Sequence, residues 1–171
     1  MYKYSGLSLE AKEWTPTLRE IKSDVESASG HSYNFVLVNR YADGGDCMGE
    51  HRDDEAELDP DVPIASLSLG AARDANDRYY KRSSCCELVL SKECSSKFVI
   101  DLSLRHGRDF YFKHADARSG KDKSIKRVNL VLNDGLLLLM EKPTNRFWYH
   151  ALPRRKNSPG TRINLTFRKV K

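Results

Sequence analysis

The stretch TRINLTFRKV, residues 161–170, alternates apolar and polar side chains, as expected for a β-strand with one buried face. Its apolar face carries Ile163, Leu165 and Phe167, and its polar face carries Arg162, Asn164, Thr166 and Arg168. If the polar face is buried, its two arginines need an anionic partner, because an unpaired buried charge is costly. A dicarboxylate would supply that partner by accepting paired hydrogen bonds from a guanidinium. The alternative is an edge strand whose arginines are solvated.

Other short segments share this β-branched and aromatic character and are separated by turn residues. They are residues 33–41, 63–70, 109–114 and 127–140. Before them, residues 14–30 predict one helix, with Thr15 as its N-cap, Pro16 in its first turn and Gly30 at its end. Its apolar stripe is Leu18, Ile21 and Val25. This order predicts a mainly β chain with a flanking helix (α+β) and a double-stranded β-helix, or jelly-roll, core.

Residues 75–109 do not fit this pattern and are predicted to be an insertion within one domain that spans residues 1–171. The dipeptide Arg73-Asp74 precedes the segment, and the same dipeptide recurs as Arg108-Asp109 at its end. Without the segment, residues 67–74 would run directly into residues 110–116 and are expected to form a hairpin. The alternative is that SKFVIDLSL, residues 96–104, is simply another strand of the sheet.

The stretch GEHRDDE, residues 49–55, is a candidate metal site. His51 and Asp53 are two residues apart, so in an extended segment both side chains point to the same side. His150, about a hundred residues later, is the best candidate for a third ligand. Two histidines and one carboxylate are the ligands of non-haem Fe(II) oxygenases. The alternative is a solvated acidic turn that happens to contain a histidine.

The polar residues of VNRY, residues 38–41, are candidates for binding a carboxylate or keto oxygen. Asn39 and Tyr41 share one face of the strand that leads toward His51, and both side chains can donate hydrogen bonds. The alternative is that they are ordinary polar residues on the open face of a sheet.

Taken together, three stretches resemble the AlkB family of Fe(II)- and 2-oxoglutarate-dependent dioxygenases. They are NRYADGGDCMGEHRDDE at residues 39–55, PTNRFWYHALP at residues 143–153, and RINLTFRKV at residues 162–170. The resemblance covers residues 2–74 and 110–171. It implies that the chain binds Fe(II) and uses 2-oxoglutarate and O₂ as cosubstrates.

The resemblance also implies a role for each matching residue. The iron ligands would be His51, Asp53 and His150, and the residues that line 2-oxoglutarate would be Asn39, Tyr41, Arg162, Thr166 and Arg168. Among these, Arg168 falls at the position expected to pair with the distal carboxylate. The aromatic residues that stack on a flipped base would be Tyr2 and Tyr4. Asp54 and Glu55 would contact the substrate nucleotide.

The implied activity is oxidative demethylation of N-alkylated bases in single- or double-stranded DNA, with release of formaldehyde and succinate. The implied substrates, 1-methyladenine and 3-methylcytosine, are cationic, so acidic and aromatic groups would favour them over neutral bases. An RNA or single-stranded nucleic-acid demethylase is the first alternative, and a poorly active nucleic-acid-binding isoform is the second. A β-sandwich without any site is a third, and it predicts that the three ligand candidates do not converge.

The chain's charge and cysteine content are consistent with an intracellular protein that binds nucleic acid. The formal net charge is +5 among 171 residues, and basic clusters could contact phosphates. These clusters are Lys121, Lys123, Lys126 and Arg127, and Arg154, Arg155 and Lys156. The four cysteines form no disulfide framework and the first residues form no signal peptide, so a reducing compartment, cytosol or nucleus, is expected. The resemblance implies the nucleus. We also expect a monomer, and no membrane partner because the chain has no long apolar run. A family segment upstream of Tyr2 is expected to be absent, which would weaken the handling of duplex DNA.

Overall fold

The computed structural model describes residues 2–4, 7–70, 88–90, 94–96, 98–99, 107–155 and 160–171. The helices are α1 (Pro16–Ser29), α2 (Ala115–Ser119) and α3 (Lys142–Phe147). The first strands are β1 (Tyr2–Tyr4), β2 (Leu7–Leu9), β3 (Phe35–Tyr41), β4 (Met48–His51), β5 (Ile64–Gly70), β6 (Leu88–Leu90) and β7 (Cys94–Ser96). The remaining strands are β8 (Phe98–Val99), β9 (Gly107–His114), β10 (Val128–Asn133), β11 (Leu137–Met140), β12 (Trp148–Leu152) and β13 (Arg162–Arg168).

Helix α1 begins and ends at the residues that the sequence predicts. The Thr15 side chain accepts a hydrogen bond from the Leu18 backbone N–H at 3.2 Å, and Pro16 is the first helical residue. Gly30 follows the helix with a φ of 73° and donates its N–H to the Glu26 carbonyl. This left-handed conformation suits glycine, which has no Cβ to clash with the backbone.

Two antiparallel sheets form the body of the fold. One has the strand order β10-β9-β12-β4, and the other has the order β3-β13-β5-β11-β8. Two further pairs, β1-β2 and β6-β7, form separate two-stranded sheets. The predicted mainly β fold with a jelly-roll core is confirmed, since two antiparallel sheets face each other and one helix flanks them.

The two sheets enclose one apolar core, and helix α1 covers a second. The first core joins residues of both sheets: Tyr41, Ile64, Phe110, Phe112, Leu132, Leu138, Met140, Trp148 and Leu152. The second lies on the other face of the five-stranded sheet, where Val25 of α1 packs with Leu137, Leu139, Leu165 and Phe167. The apolar face predicted for β13 therefore packs under the helix, and its polar face points toward the space between the sheets.

The predicted hairpin between the strands that flank residues 75–109 is wrong. Strand β5 pairs with β13 and β11, whereas β9 pairs with β10 and β12, so the two strands belong to different sheets. Most of residues 75–109 lie outside the described part of the chain, and the insertion stays a prediction. Within that segment, the backbone of Phe98–Val99 pairs with β11. Among the described residues, no helix combines the length and the apolar character needed to span a membrane.

Candidate metal centre

His51, Asp53 and His150 converge at one point, as the sequence predicts. Strands β4 and β12 are antiparallel neighbours, and their register places His150 directly opposite His51. Asp53 follows β4 by two residues and turns back toward both rings. One possible ligand atom from each residue lies within 4.8 Å of the others. The reading of a β-sandwich without a site, which requires that these residues stay apart, is therefore wrong.

His51 and Asp53 are each oriented by a neighbour. The Nδ1 of His51 lies 2.8 Å from the Gly49 carbonyl oxygen, so this nitrogen donates and Nε2 keeps its lone pair. Asp53 is buried, and its Oδ2 accepts from the Arg168 guanidinium at 2.9 Å. Its Oδ1 lies 3.8 Å from His51 Nε2 and has no hydrogen-bond partner among the described residues. A buried acceptor without a donor is costly unless a cation or another donor meets it.

His150 is a buried and neutral imidazole. Its ring is buried beside Phe110 and Phe112, with centroid distances of 5.5 and 6.0 Å. Burial lowers the pKa of His150 from 6.5 to about 4; Asp53 opposes this shift, while His51 and Arg168 add to it. The imidazole is therefore unprotonated near neutral pH, which is the form that binds a metal ion.

The residues present fit a divalent metal ion. Two imidazole nitrogens and one carboxylate oxygen are the donor set of mononuclear Fe(II) oxygenases. The buried Asp53 Oδ1 gives this set an acceptor that a cation would satisfy. His51 is 29 % exposed, so the cluster is open to solvent on its side. Further ligands could reach an ion from that side.

A polar cleft leads from the triad along β13. It is lined by Asn39, Tyr41, Met48, His51, Asp53, Ser66, Phe110, Met140, His150, Leu152, Arg162, Asn164, Thr166 and Arg168. The sequence had singled out Asn39, Tyr41 and the polar face of β13 for this purpose, and the structure brings them together. The cleft has its two arginines at opposite ends of one strand, six residues apart, or roughly 20 Å between Cα atoms.

Arg162 occupies the end of the cleft away from the triad. Its NH2 donates to Ser68 Oγ at 2.8 Å and to Asn164 Oδ1 at 2.9 Å. The Tyr41 ring lies 5.3 Å from the centre of the guanidinium. A short chain of hydrogen bonds continues from Asn164 Nδ2 to Thr166 Oγ1 at 2.8 Å. These contacts hold the guanidinium in a fixed orientation inside the cleft.

Arg168 occupies the end of the cleft beside the triad. Besides Asp53, its guanidinium contacts Glu55 Oε1 at 3.3 Å. Only 2 % of the Arg168 side chain is exposed. Both contacts tie Arg168 to the carboxylates of the metal cluster, whereas the sequence had predicted a role at the distal carboxylate of a cosubstrate.

The two acids predicted to meet a substrate base differ in their surroundings. Glu55 points inward to Arg168, whereas Asp54 is 51 % exposed and pairs with Arg52 at 2.8 Å. The backbone of Tyr2 and Tyr4 lies in the β1-β2 pair, and their side chains fall outside the described residues.

Two serines of β5 are site residues that the sequence reasoning missed. Ser68 holds Arg162, and the Ser66 hydroxyl donates to Asn164 Oδ1 at 3.1 Å. Both serines alternate with Leu67 and Leu69 in a segment that was predicted to be a strand but not to contribute to the site. This alternation was the available signal, because it places both hydroxyls on the face opposite the leucines.

The predicted basic clusters differ in how they are engaged. Arg155 forms an ion pair with Asp109. The Arg127 guanidinium lies over the Tyr111 ring at 4.7 Å. Lys121 is 78 % exposed, with its ammonium 3.7 Å from Asp116. This last contact is screened by water, so the charge of Lys121 remains accessible to an anionic partner.

Comparison with known protein families decides the classification. The 2OG-Fe(II) oxygenase superfamily matches residues 1–168. The chain belongs to this superfamily. The resemblance drawn from the three sequence motifs is confirmed. The superfamily uses Fe(II) and 2-oxoglutarate, and His51, Asp53 and His150 form a possible iron-binding triad.

Curated relatives match almost the whole chain. It is 43 % identical over 171 residues to the DNA oxidative demethylase ALKBH2 of Homo sapiens, covering 99 % of this chain and 52 % of that protein. The Mus musculus protein of the same name is 41 % identical over 170 residues, covering 99 % and 56 %. The alpha-ketoglutarate-dependent dioxygenase alkB homolog 3 of Homo sapiens is 31 % identical over 170 residues, covering 99 % and 48 %. The chain thus spans about half the length of these relatives.

Proposed function

We propose that this chain is an Fe(II)- and 2-oxoglutarate-dependent DNA oxidative demethylase that removes methyl groups from N-alkylated bases. The observation that carries the proposal is the convergence of His51, Asp53 and His150 beside the polar face of β13. The proposed substrates are 1-methyladenine and 3-methylcytosine in DNA, and the proposed products are formaldehyde, succinate and the restored base. Relatives named as DNA oxidative demethylases, 41–43 % identical to this chain, support the choice of DNA.

The triad would hold Fe(II), and the cleft would hold 2-oxoglutarate. When bound, they would supply oxidation of the N-methyl group by O₂, coupled to decarboxylation of 2-oxoglutarate. The chain's own contribution is to bind and orient. His51 and His150 offer neutral nitrogens, Asp53 offers the charge that a dication needs, and the aromatic residues around His150 exclude water from that side.

Within the cleft, we assign the distal carboxylate of 2-oxoglutarate to Arg162. Arg168 already contacts Asp53 at 2.9 Å, so it lies at the end where the keto acid would meet the metal. Arg162 lies at the other end of the strand, buried and held by Ser68 and Asn164. A buried guanidinium with a fixed orientation suits a carboxylate at that end. This revises the role predicted for Arg168 and leaves Asn39, Tyr41 and Thr166 as lining residues.

Charge favours an alkylated base over an unmodified one. Methylation at N1 of adenine or N3 of cytosine leaves the base cationic, and Asp54 and Glu55 lie beside the triad in the same segment. A carboxylate attracts a cation most strongly where water is excluded, so the half-buried Glu55 should contribute more than the exposed Asp54. Tyr2 and Tyr4 are proposed to stack on the base once it leaves the helix.

The basic clusters are proposed to hold the DNA backbone. The accessible charge of Lys121 and the neighbouring Lys123, Lys126 and Arg127 could contact phosphates of single- or double-stranded DNA. Arg154 and Lys156 would add to this surface. We further propose that the protein acts as a monomer in the nucleus, where its DNA substrate is found.

The proposal is tested by demethylation of an oligonucleotide that carries one 1-methyladenine. Incubation with Fe(II), 2-oxoglutarate and O₂ should release one formaldehyde per restored adenine, measured by mass spectrometry of the DNA and a formaldehyde assay. Omission of Fe(II) or 2-oxoglutarate should abolish the release. An RNA oligonucleotide of the same sequence distinguishes the two nucleic acids. Restoration of the base without 2-oxoglutarate would contradict the proposal.

A further inference from the structure

Arg168 lies between two carboxylates that come from one short segment of the chain. It contacts Asp53 Oδ2 with NH2 at 2.9 Å and Glu55 Oε1 with NH1 at 3.3 Å. Arg168 and Asp53 are almost fully buried, and Glu55 is 17 % exposed. The three side chains therefore form a carboxylate–guanidinium–carboxylate network beside the triad.

This network sets the position of the Asp53 carboxylate. Because Oδ2 accepts from Arg168, the other oxygen, Oδ1, is turned toward His51. That oxygen is buried without a hydrogen-bond partner in the described part of the chain, as expected of a metal ligand. Any displacement of Arg168 would displace Oδ1 as well. Glu55 holds the opposite side of the same guanidinium, so it influences Asp53 without touching it.

We propose that Glu55 is a positioning residue for Asp53 and acts on it through Arg168. This deepens the proposed function and rests on it for the identity of the metal ligands. The guanidinium of Arg168 is shared by the carboxylates of Asp53 and Glu55. Without the Glu55 carboxylate, a larger share of the Arg168 charge falls on Asp53, draws electron density from that carboxylate, and repels an incoming dication. Loss of the Glu55 charge should therefore weaken metal binding, although Glu55 is not a ligand.

The network also links the base to the metal. The second oxygen of Glu55, Oε2, is buried and has no hydrogen-bond partner among the described residues. An N–H group of a bound base could donate to Oε2 and draw negative charge away from the oxygen that Arg168 contacts. Binding of the base and binding of the metal would then be coupled. Each would change the affinity for the other by the same factor.

The first experiment measures the dissociation constant of Mn(II), a redox-stable probe, by calorimetry on the whole chain without DNA. We expect Glu55→Gln to weaken Mn(II) binding roughly tenfold, the loss of about one charge-assisted contact. Glu55→Asp keeps the charge and should restore most of the affinity. Glu57→Gln is the matched control, because it makes the same change at an exposed position in the same segment, and it should alter the affinity less than about twofold.

A double-mutant cycle tests whether Glu55 acts through Arg168. In an Arg168→Lys background, one ammonium group cannot bridge both carboxylates, so Glu55→Gln should have less than about a third of its original effect on Mn(II) affinity. An undiminished effect in that background would overturn the proposal, as would Glu55→Gln binding Mn(II) as tightly as Glu57→Gln. Melting temperatures of the metal-free variants identify any that fail to fold. If the unmodified chain binds no Mn(II), the metal centre itself is wrong and the proposed function fails with it.

Discussion

Replacement of Arg162 by lysine separates the roles of the two cleft arginines. The assignment of Arg162 to the distal carboxylate predicts that the variant loses affinity for 2-oxoglutarate but not for 2-oxopentanoate. The latter has a methyl group in place of the distal carboxylate and keeps the keto acid end. The difference between the two affinities therefore reports the contact between residue 162 and the distal carboxylate, because the two ligands are otherwise alike.

The expected magnitude follows from the surroundings of Arg162. Its guanidinium is buried, and donation from NH2 to Ser68 and Asn164 fixes its orientation, so a carboxylate at this end would meet a preoriented cation. A lysine ammonium cannot donate to Ser68, Asn164 and both carboxylate oxygens with the same geometry. Loss of one charge-assisted hydrogen bond costs about 1.5–3 kcal/mol, which corresponds to a roughly 10- to 150-fold weaker affinity.

The assay is calorimetric titration of each keto acid into the Mn(II)-loaded protein. We expect the unmodified chain to prefer 2-oxoglutarate, and Arg162→Lys to lose most of that preference. Arg168→Lys is the matched control: because Arg168 lies at the metal end, its replacement should weaken both keto acids by a similar factor. If Arg162→Lys kept the full preference for 2-oxoglutarate, or if only Arg168→Lys lost it, Arg162 would not be the residue that binds the distal carboxylate.

Three further predictions concern other parts of the molecule. Glu50→Gln removes the carboxylate that pairs with Arg118 at 2.9 Å and Lys113 at 3.7 Å, so both cations become available to phosphates. The variant should bind DNA a few-fold more tightly in low salt and equally in high salt. An unchanged affinity in low salt would place this surface away from the DNA. Thr15→Ala should lower the free energy of unfolding by about 1 kcal/mol in urea denaturation through loss of the helix cap, whereas the exposed Thr17→Ala should change it little. In the metal-free protein, burial of the neutral His150 lowers its pKa from 6.5 to about 4, so the free energy of unfolding loses nothing to this group above about pH 6.5. Between pH 6.5 and the folded pKa of about 4, the free energy of unfolding should fall by about 1.4 kcal/mol per pH unit. His150→Gln should lack that share of the pH dependence.

Local features of the fold could be predicted because neighbours in sequence determine them. The ends of α1 depend on Thr15, Pro16 and Gly30, and the two faces of β13 follow from a period of two residues. The pairing of sheets depends on contacts far apart in sequence. Strands β5 and β9 therefore looked like a hairpin, although each pairs with strands of a different sheet.

The candidate site shows the same division between local pattern and long-range packing. The sequence placed Arg162 and Arg168 on one face of the strand. The two-residue repeat of side chains does not determine which of the two arginines lies beside the metal ligands. That depends on Asp53, which reaches Arg168 only because β4 and β13 lie in facing sheets. Likewise, the adjacent acids Asp54 and Glu55 looked equivalent, yet one pairs with Arg52 near solvent and the other with the buried Arg168.

The central claim is that His51, Asp53 and His150 together form the metal centre. The most direct measurement is anaerobic titration of Fe(II) into the unmodified chain and into His51→Ala, with bound metal quantified after dialysis. His51 is 29 % exposed and lies outside the Arg168 network, so its removal should leave the fold intact. We expect one Fe(II) per unmodified chain and at least tenfold weaker binding by the variant, with loss of formaldehyde release. One tightly bound Fe(II) in His51→Ala, with formaldehyde release retained, would contradict the central claim.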